Sequence, residues 1–496
     1  MSDAPAAPHE RELEGEENPI RDHAERIMSG GEIGGIQKAT HEALLRVIDR
    51  VFNDETLIVN FKGADIRRVA MSGNIIAEIW RRIHGDPEMI QLLTIGDTEI
   101  PPFMQRTVER IIKRAHIFHM DAIREGKTGY DVAAKGTEET RRALMKFLDR
   151  YYGFSEQTDR PDLMKTLTKQ TCVVHGGMTG LDYITAGLIQ RADNKGAKHN
   201  FVWPSNSFGT WPSIANMRSR NGAVADTHII KSEQKHGLHL TPEQVTTYYK
   251  EHQPAPGKTT SWYITPVGNP SGTKITPRQL QGTCEAIVKN DPEAVIILDL
   301  VYLRMLKVEE ARALMAGIVG NAEVFNRVIV LDSFSKTHGL CGERAGLFFS
   351  ANPDLFTDPQ NVMMLLTAGV SKQTDCLERA IAMSSDGEIA KFDKLHEFWR
   401  KEVEGLYYYL IKSGEFKHLF DEDQSHINEA GLKDPTNLYL CLKLKNGVDS
   451  KQILAETHCL GVEDGRMQPG TYMRFAVGKI RQPTFAKYAP KKPAST

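Results

Sequence analysis

The chain has 496 residues, more than one small core needs and enough for an enzyme subunit of two or three domains. Apolar residues make up 40% and charged residues 25%, an ordinary globular balance, and the formal net charge of −2 argues against a nucleic-acid binder that relies on broad positive charge. No apolar run approaches the roughly twenty residues that cross a bilayer, and the polar, acidic start MSDAPAAPHERELEGEENP does not read as a signal peptide. Cys172, Cys284, Cys341, Cys376, Cys441 and Cys459 are scattered, without CxxC or metal-type spacing. Reduced thiols in a cytoplasmic protein with no metal site are therefore expected.

In chain order, residues 1–20 are rich in Pro, Glu and Ala and are expected to be disordered. Ile36, Ala39, Ala43, Leu44, Val47 and Val51 recur at helical spacing and predict a helix, with a second over 75–83 and a short strand at 57–61 between them. LTIGDTEIPP, from Leu93, reads as a short strand and a Pro-marked turn, followed by helices over 103–124 and 137–151. Strands are then predicted at 200–204, 227–232, 261–267, 294–302, 327–334 and 344–350, with helices such as 277–289 between them. This alternation predicts an α/β protein whose large domain is a mostly parallel sheet covered by helices on both faces. Beyond residue 370, longer helices and strands at 438–444 and 472–477 suggest a smaller α+β domain, and the tail YAPKKPAST is expected to be loose.

Four polar motifs punctuate this pattern. SFSKTHGLCGERAG, residues 333–346, follows the apolar strand VIVLD, which puts its polar groups at a strand's C-terminal end, where open α/β sheets bind ligands. Partial desolvation there favours the neutral, nucleophilic amine of Lys336, suited to a Schiff base. Ser333 and Arg344 are natural holders of a phosphate. Taken singly, Lys336 and Arg344 would read as solvated loop charges. Asp299 ends another apolar strand, with Tyr302 three residues on. A carboxylate so placed needs a cationic partner, although a turn Asp is the plain alternative. Asn269 lies in TPVGNPSGT, an ordinary turn sequence that could also aim an amide at a ligand. HGGMTGLDYITAGL, residues 175–188, is a Gly-rich turn entering a helix with Leu181, Ile184 and Leu188 on its apolar face, and backbone amides at such a start bind phosphate.

Together these pieces resemble the class I/II aminotransferase family, pyridoxal-phosphate (PLP) fold type I, of which aspartate aminotransferase is the archetype. The resemblance spans about residues 91–480 with the motifs in the family's order. Its most specific part is S-x-S-K-x-x-G-L-x-G-x-R-x-G, Ser333 through Gly346. The resemblance implies that Lys336 holds the cofactor as a Schiff base and moves protons at the substrate α-carbon. It implies that Asp299 pairs with the pyridine nitrogen, and that Tyr302 and Asn269 bond the phenolic oxygen. Ser333, Arg344 and the amides of Gly177 and Met178 would hold the phosphate. Trp211 would lie against the cofactor ring, with Phe208 as the fallback. Arg474, in YMRFAVG, would clamp the substrate α-carboxylate, with Asn269 and Gly96 on the substrate side. Tyr130 would reach the phosphate of a neighbouring subunit, which requires a homodimer with shared active sites, or a higher oligomer. The implied organisation is an N-terminal extension over 1–90, a small-domain and dimer-contact segment over 91–165, the large PLP-binding domain over 166–370, and a C-terminal small domain over 371–496. The implied reaction passes an amino group from an amino acid to a 2-oxo acid.

The pattern departs from the family in three places. About 90 residues precede the family core. The distal arginine of dicarboxylate-specific members falls at Ala368, and Lys372 nearby lacks the guanidinium fork. His175 and Met178 decorate the phosphate turn. These departures keep open other PLP reactions on the same fold, such as a β-decarboxylase, C–S lyase, cyclase/synthase or oxidase. A third reading, the cofactor-binding domain of a transcription regulator, would need a basic recognition helix in the extension, where only Arg67, Arg68, Arg81 and Arg82 cluster.

Overall fold

The computed structural model describes residues 91–490, apart from 94–95, 130, 132, 158, 220–223, 255–258, 423–436 and 465–469. The elements expected within the first 90 residues, the end of the tail and Tyr130 lie outside the described residues.

The described chain opens with β1 (Gln91–Leu92), α1 (Pro102–Arg124), α2 (Glu138–Tyr152) and α3 (Leu163–Lys169). Strands and helices then alternate: β2 (Thr171–Val174), α4 (Gly177–Asp193), β3 (His199–Pro204), α5 (Trp211–Arg218), β4 (Ala225–Ile230), α6 (Pro242–Glu251), β5 (Thr259–Ile264) and α7 (Pro277–Asn290). They continue through β6 (Val295–Asp299), α8 (Val308–Val319), α9 (Ala322–Phe325), β7 (Val328–Ser333), α10 (Phe334–Thr337) and β8 (Gly346–Ser350). The remainder is α11 (Pro353–Thr367), α12 (Lys372–Ala382), α13 (Asp386–Tyr407), β9 (Phe420–Asp421), β10 (Tyr439–Leu444), α14 (Ser450–Thr457), β11 (Cys459–Leu460), β12 (Val462–Asp464) and β13 (Tyr472–Ala476).

The large sheet has seven strands in the order β2-β8-β7-β6-β5-β3-β4. The run from β7 to β4 is parallel, while β8 is antiparallel to both of its neighbours. Its central strands are buried along their whole length, as the continuous apolar runs predicted. Side chains alternate between the faces: Ile296, Leu298 and Val330 join one apolar cluster, while Val295, Ile297 and Leu331 join the other. A second sheet, β12-β13-β10-β9, is antiparallel, and β1 pairs in parallel with β11.

Two expectations shift. The strand expected within LTIGD lies earlier, at Gln91–Leu92, and Gly96 onward is irregular. β2 was not predicted because TCVV is too short to show a period. No helix among the described residues is long and apolar enough to cross a membrane.

Local chemistry explains the helix that faces the site. α4 buries Leu181, Ile184 and Leu188 on one stripe, as their spacing predicts. It lies backbone-close to α11 at Gly187, where an added Cβ would fall 2.5 Å from the Pro359 nitrogen and 2.8 Å from the Asp358 carbonyl carbon. Backbone atoms cannot swing aside, so Gly187→Ala should cost about 1–3 kcal/mol, read as a lower urea midpoint of unfolding.

Candidate active site

β6 ends on Asp299 and β7 on Ser333, so two polar groups emerge at the C-terminal edge of the parallel strands. Because β8 runs the other way, its first residue, Gly346, reaches the same edge opposite Ser333 and Val174. The loop 334–345 thus leaves and returns at one place, beside the Gly-rich turn that follows β2.

At that place Gly176, with φ +81°, and Gly177 form a cup. A Cβ on Gly176 would sit 2.9 Å from Arg344 Nη2, and one on Gly177 would sit 3.4 Å from Ser333 Cβ and 3.5 Å from Val301 Cγ2. The backbone is bare where Ser333, Arg344 and the start of α4 converge, and the first amides of the helix have no partners within it. Met178 is exposed on the first turn. Ser333 Oγ is held 2.9 Å from the Ala345 carbonyl oxygen and accepts from the Ser335 amide at 3.2 Å.

Asp299 is buried, with Oδ1 accepting from the Val301 amide at 3.0 Å and Oδ2 accepting from the Tyr263 hydroxyl. Burial pushes its carboxyl up to about 6 although both hydrogen bonds favour the anion. Trp211 stacks on Tyr263 with centroids 4.8 Å apart and planes 13° apart, and its Nε1 donates to Thr185 Oγ1 at 3.2 Å. With 0% exposure, Trp211 has no open ring face; its connection to Asp299 runs through Tyr263. Phe208 is half-buried.

A second cluster is assembled from both sheets. Asn269 Nδ2 donates to the Tyr302 hydroxyl at 3.2 Å, and Arg474 Nη1 donates to Asn269 Oδ1 at 2.9 Å. The Tyr302 and Tyr439 hydroxyls lie 2.7 Å apart, and the Arg474 guanidinium lies 5.0 Å from the centre of the Tyr439 ring. Lys336 Nζ donates at close range to the Gly96 carbonyl and lies 3.2 Å from Cys341 Sγ. A Cβ on Gly96 would fall 1.9 Å from Tyr439 Oη, so Gly96 stands between the lysine and the tyrosine cluster.

The lysine turn has its own support. Asp332, one residue before Ser333, pairs with Arg304 Nη1 and accepts from the Tyr152 hydroxyl. Arg304 Nη2 donates to the Ser333 carbonyl at 3.0 Å and lies 3.1 Å from Thr337 Oγ1. Neither Arg304 nor Asp332 was singled out from sequence, though a carboxylate inside the buried run VIVLDS signals a hidden cation. Tyr439 was missed because LYLCLKL reads as a core strand.

The description of the family "Aminotransferase class I and II" matches residues 100–421. The chain belongs to the class I and II aminotransferase family. It is accordingly a PLP-dependent, aminotransferase-like enzyme, and its fold is shared by solved aminotransferases. The aspartate aminotransferase of Thermotoga maritima superposes with a TM-score of 0.62 at 16% identity, over 87% of this chain and 96% of that one. A double mutant of the Thermus thermophilus aspartate aminotransferase gives 0.60 at 14% identity, over 85% and 96%. An aromatic aminotransferase from Pyrococcus horikoshii gives 0.57 at 17% identity, over 79% and 92%. No curated protein matches the chain by sequence.

Two departures from the family pattern now have structural settings. His175 Nε2 accepts from the Ser371 amide at 3.4 Å, and burial, with Arg344 nearby, holds its ring below the usual histidine range, so the neutral ring ties the cup to the start of α12. Ala368 is an exposed C-cap of α11 in the left-handed conformation, φ +52°.

Two predictions follow from the buried charges. Arg304→Leu strands Asp332 without its cation and should cost about 3–5 kcal/mol by urea unfolding, whereas adding Asp332→Asn should recover most of that loss. For Asp299, the raised folded value means the proton is bound more tightly in the folded protein. Its contribution is complete below the ordinary value of 3.8 and is lost as pH rises through about 6. Relative to Asp299→Asn, the cofactor-free wild type should therefore lose on the order of 2–3 kcal/mol between about pH 4 and pH 6 and then level off, measured by urea unfolding across that window.

Proposed function

We propose that this enzyme transfers an amino group from an amino acid to a 2-oxo acid, with Lys336 holding pyridoxal phosphate. The observation that supports this most strongly is that three different recognition chemistries lie along the sheet edge that presents Lys336 and in the tyrosine cluster beyond Gly96. A bare anion-binding cup lies at Gly176, Gly177, Met178, Ser333 and Arg344. A buried carboxylate stands at Asp299, and an amide–phenol–guanidinium cluster stands at Asn269, Tyr302 and Arg474. A phosphate, a pyridinium and a phenolate with an adjoining carboxylate are the complements of these three.

When bound, the cofactor supplies an electron sink for the charge left at the substrate α-carbon. The chain's residues do the rest. Asp299 would pair with the ring nitrogen as a carboxylate, the form that a cationic partner favours. Tyr302 and Asn269 would donate to the phenolic oxygen. Arg474 gives Nη1 to Asn269, which fixes the plane of the fork that would meet the substrate α-carboxylate. Gly96 closes that side with bare backbone. The Lys336 amine would take and return the α-proton as a general base and acid. Trp211 buttresses Tyr263 and so the orientation of Asp299.

The proposal includes a cytoplasmic homodimer in which Tyr130 completes the neighbouring phosphate site, and the four-part domain division given above. The exposed Ala368 offers no donor to a side-chain carboxylate, which favours amino acids other than dicarboxylates and sustains a second reading. In it the same cofactor site serves a β-decarboxylase, C–S lyase, cyclase/synthase or oxidase.

Absorbance spectroscopy tests both. Protein supplied with pyridoxal phosphate should show a visible band that Lys336→Ala lacks; no band in the wild type would end the proposal. An amino acid from a panel should shift the band to the near ultraviolet and a 2-oxo acid should restore it. A persistent band with release of carbon dioxide, ammonia, sulfide or peroxide would instead select the second reading.

A further inference from the structure

We propose that Tyr439 is a positioning residue that joins the carboxylate-clamping arginine to the phenol that serves the cofactor. The inference rests on the PLP reading of the site and adds a residue to it from the small sheet.

Tyr439 opens β10, and its main chain is fastened to the Asn269 turn before its side chain makes any contact. The Tyr439 amide donates to Asn437 Oδ1 at 2.8 Å, and Asn437 Nδ2 donates to the Gly268 carbonyl at 3.1 Å. Gly272 permits the close approach, since a Cβ there would fall 2.6 Å from the Tyr439 carbonyl oxygen. The position of the tyrosine is therefore set by the turn that carries Asn269.

Its side chain then touches three members of the site at once. The hydroxyl lies 2.7 Å from that of Tyr302. The ring covers Arg474 at 5.0 Å, which the register explains: Tyr439 pairs with Ala476, two residues from Arg474, so all three side chains share one face of the sheet. The hydroxyl also fills the space where a side chain at position 96 would stand.

The chemistry follows from counting protons. Tyr302 has one O–H. When that proton is directed at the cofactor's phenolic oxygen, its lone pairs accept from Asn269 Nδ2 and from the Tyr439 hydroxyl. A phenol that accepts two hydrogen bonds is a stronger donor in the third, because the bonds in such a chain polarise one another. The ring has a separate task. It holds the guanidinium plane through a cation–π contact and so sets the direction from which the fork meets the substrate. Hydroxyl and ring are thus separable by substitution.

The test compares Tyr439→Phe with Tyr439→Leu, each loaded with pyridoxal phosphate. The pH titration of the visible absorbance and the KM for an accepted amino acid are recorded. In Tyr439→Phe a weaker Tyr302 donor stabilises the bare phenolate less, so the midpoint should rise by about half a pH unit while KM stays within about twofold. In Tyr439→Leu the same shift should appear together with a KM raised roughly tenfold. Phenylalanine therefore rescues binding but not the titration, a split that a purely structural tyrosine would not produce. An unchanged midpoint in Tyr439→Phe, or an unchanged KM in Tyr439→Leu, overturns the proposal while leaving the PLP reading in place. A wild-type protein with no visible band overturns both.

Discussion

Arg304 and Asp332 form a buried ion pair, 1% and 0% exposed, and the presentation of Lys336 depends on it. Two charges in such a place carry a heavy desolvation cost, and a pair of apolar residues would fill the volume at least as stably. What apolar residues cannot supply is the set of directional bonds. Asp332 Oδ1 accepts from the Ser333 amide at 2.7 Å, while Arg304 reaches the Ser333 carbonyl and Thr337 Oγ1. Both ends of the turn that carries the lysine are thereby tied to one buried guanidinium. Phe334 lies 4.8 Å from that guanidinium and closes it in. Beneath, His396 Nε2 donates to the Thr337 carbonyl at 2.7 Å, and burial holds this ring down at about 4, so it stays neutral.

The same logic of buried, directional contacts divides the site between the two sheets. The anion cup, the acid at Asp299 and the lysine turn belong to the large sheet, where the C-terminal ends of parallel strands leave polar groups at one edge. Arg474 and Tyr439 belong to the small antiparallel sheet. Asn269 bonds groups from both, through Nδ2 to Tyr302 and through Oδ1 to Arg474. A residue that spends both ends of its amide in this way makes substrate-side geometry depend on cofactor-side geometry. Asn437 and Gly272 repeat the connection in the main chain.

Much of this was legible before the fold was seen. Continuous apolar runs such as AVIILD and RVIVLD announced strands buried on both faces, and the helix repeat Leu181, Ile184, Leu188 announced the face of α4. The spacing from Ser333 to Gly346 marked a loop with a lysine and an arginine, and with Asn269 and Asp299 it named the family. These signals are local. Burial of a strand on both faces, a helical stripe or a turn rich in glycine is written into neighbouring residues, and the family motif is a run of fourteen positions.

The sequence by itself thus determined the class of fold and the elements that bear the candidate site. The tertiary structure alone decided which distant groups meet. Nothing near Arg304 says that it will pair with Asp332, and nothing in LYLCLKL says that the buried Tyr439 will stand against Gly96 and Arg474. Likewise TWPSIANMR suggested a ring open to a ligand, whereas packing between Tyr263 and Thr185 buries Trp211 completely. In each case the deciding contact spans tens to hundreds of residues. Its strength comes from exclusion of water, a property of the assembled interior that no short stretch of chain possesses.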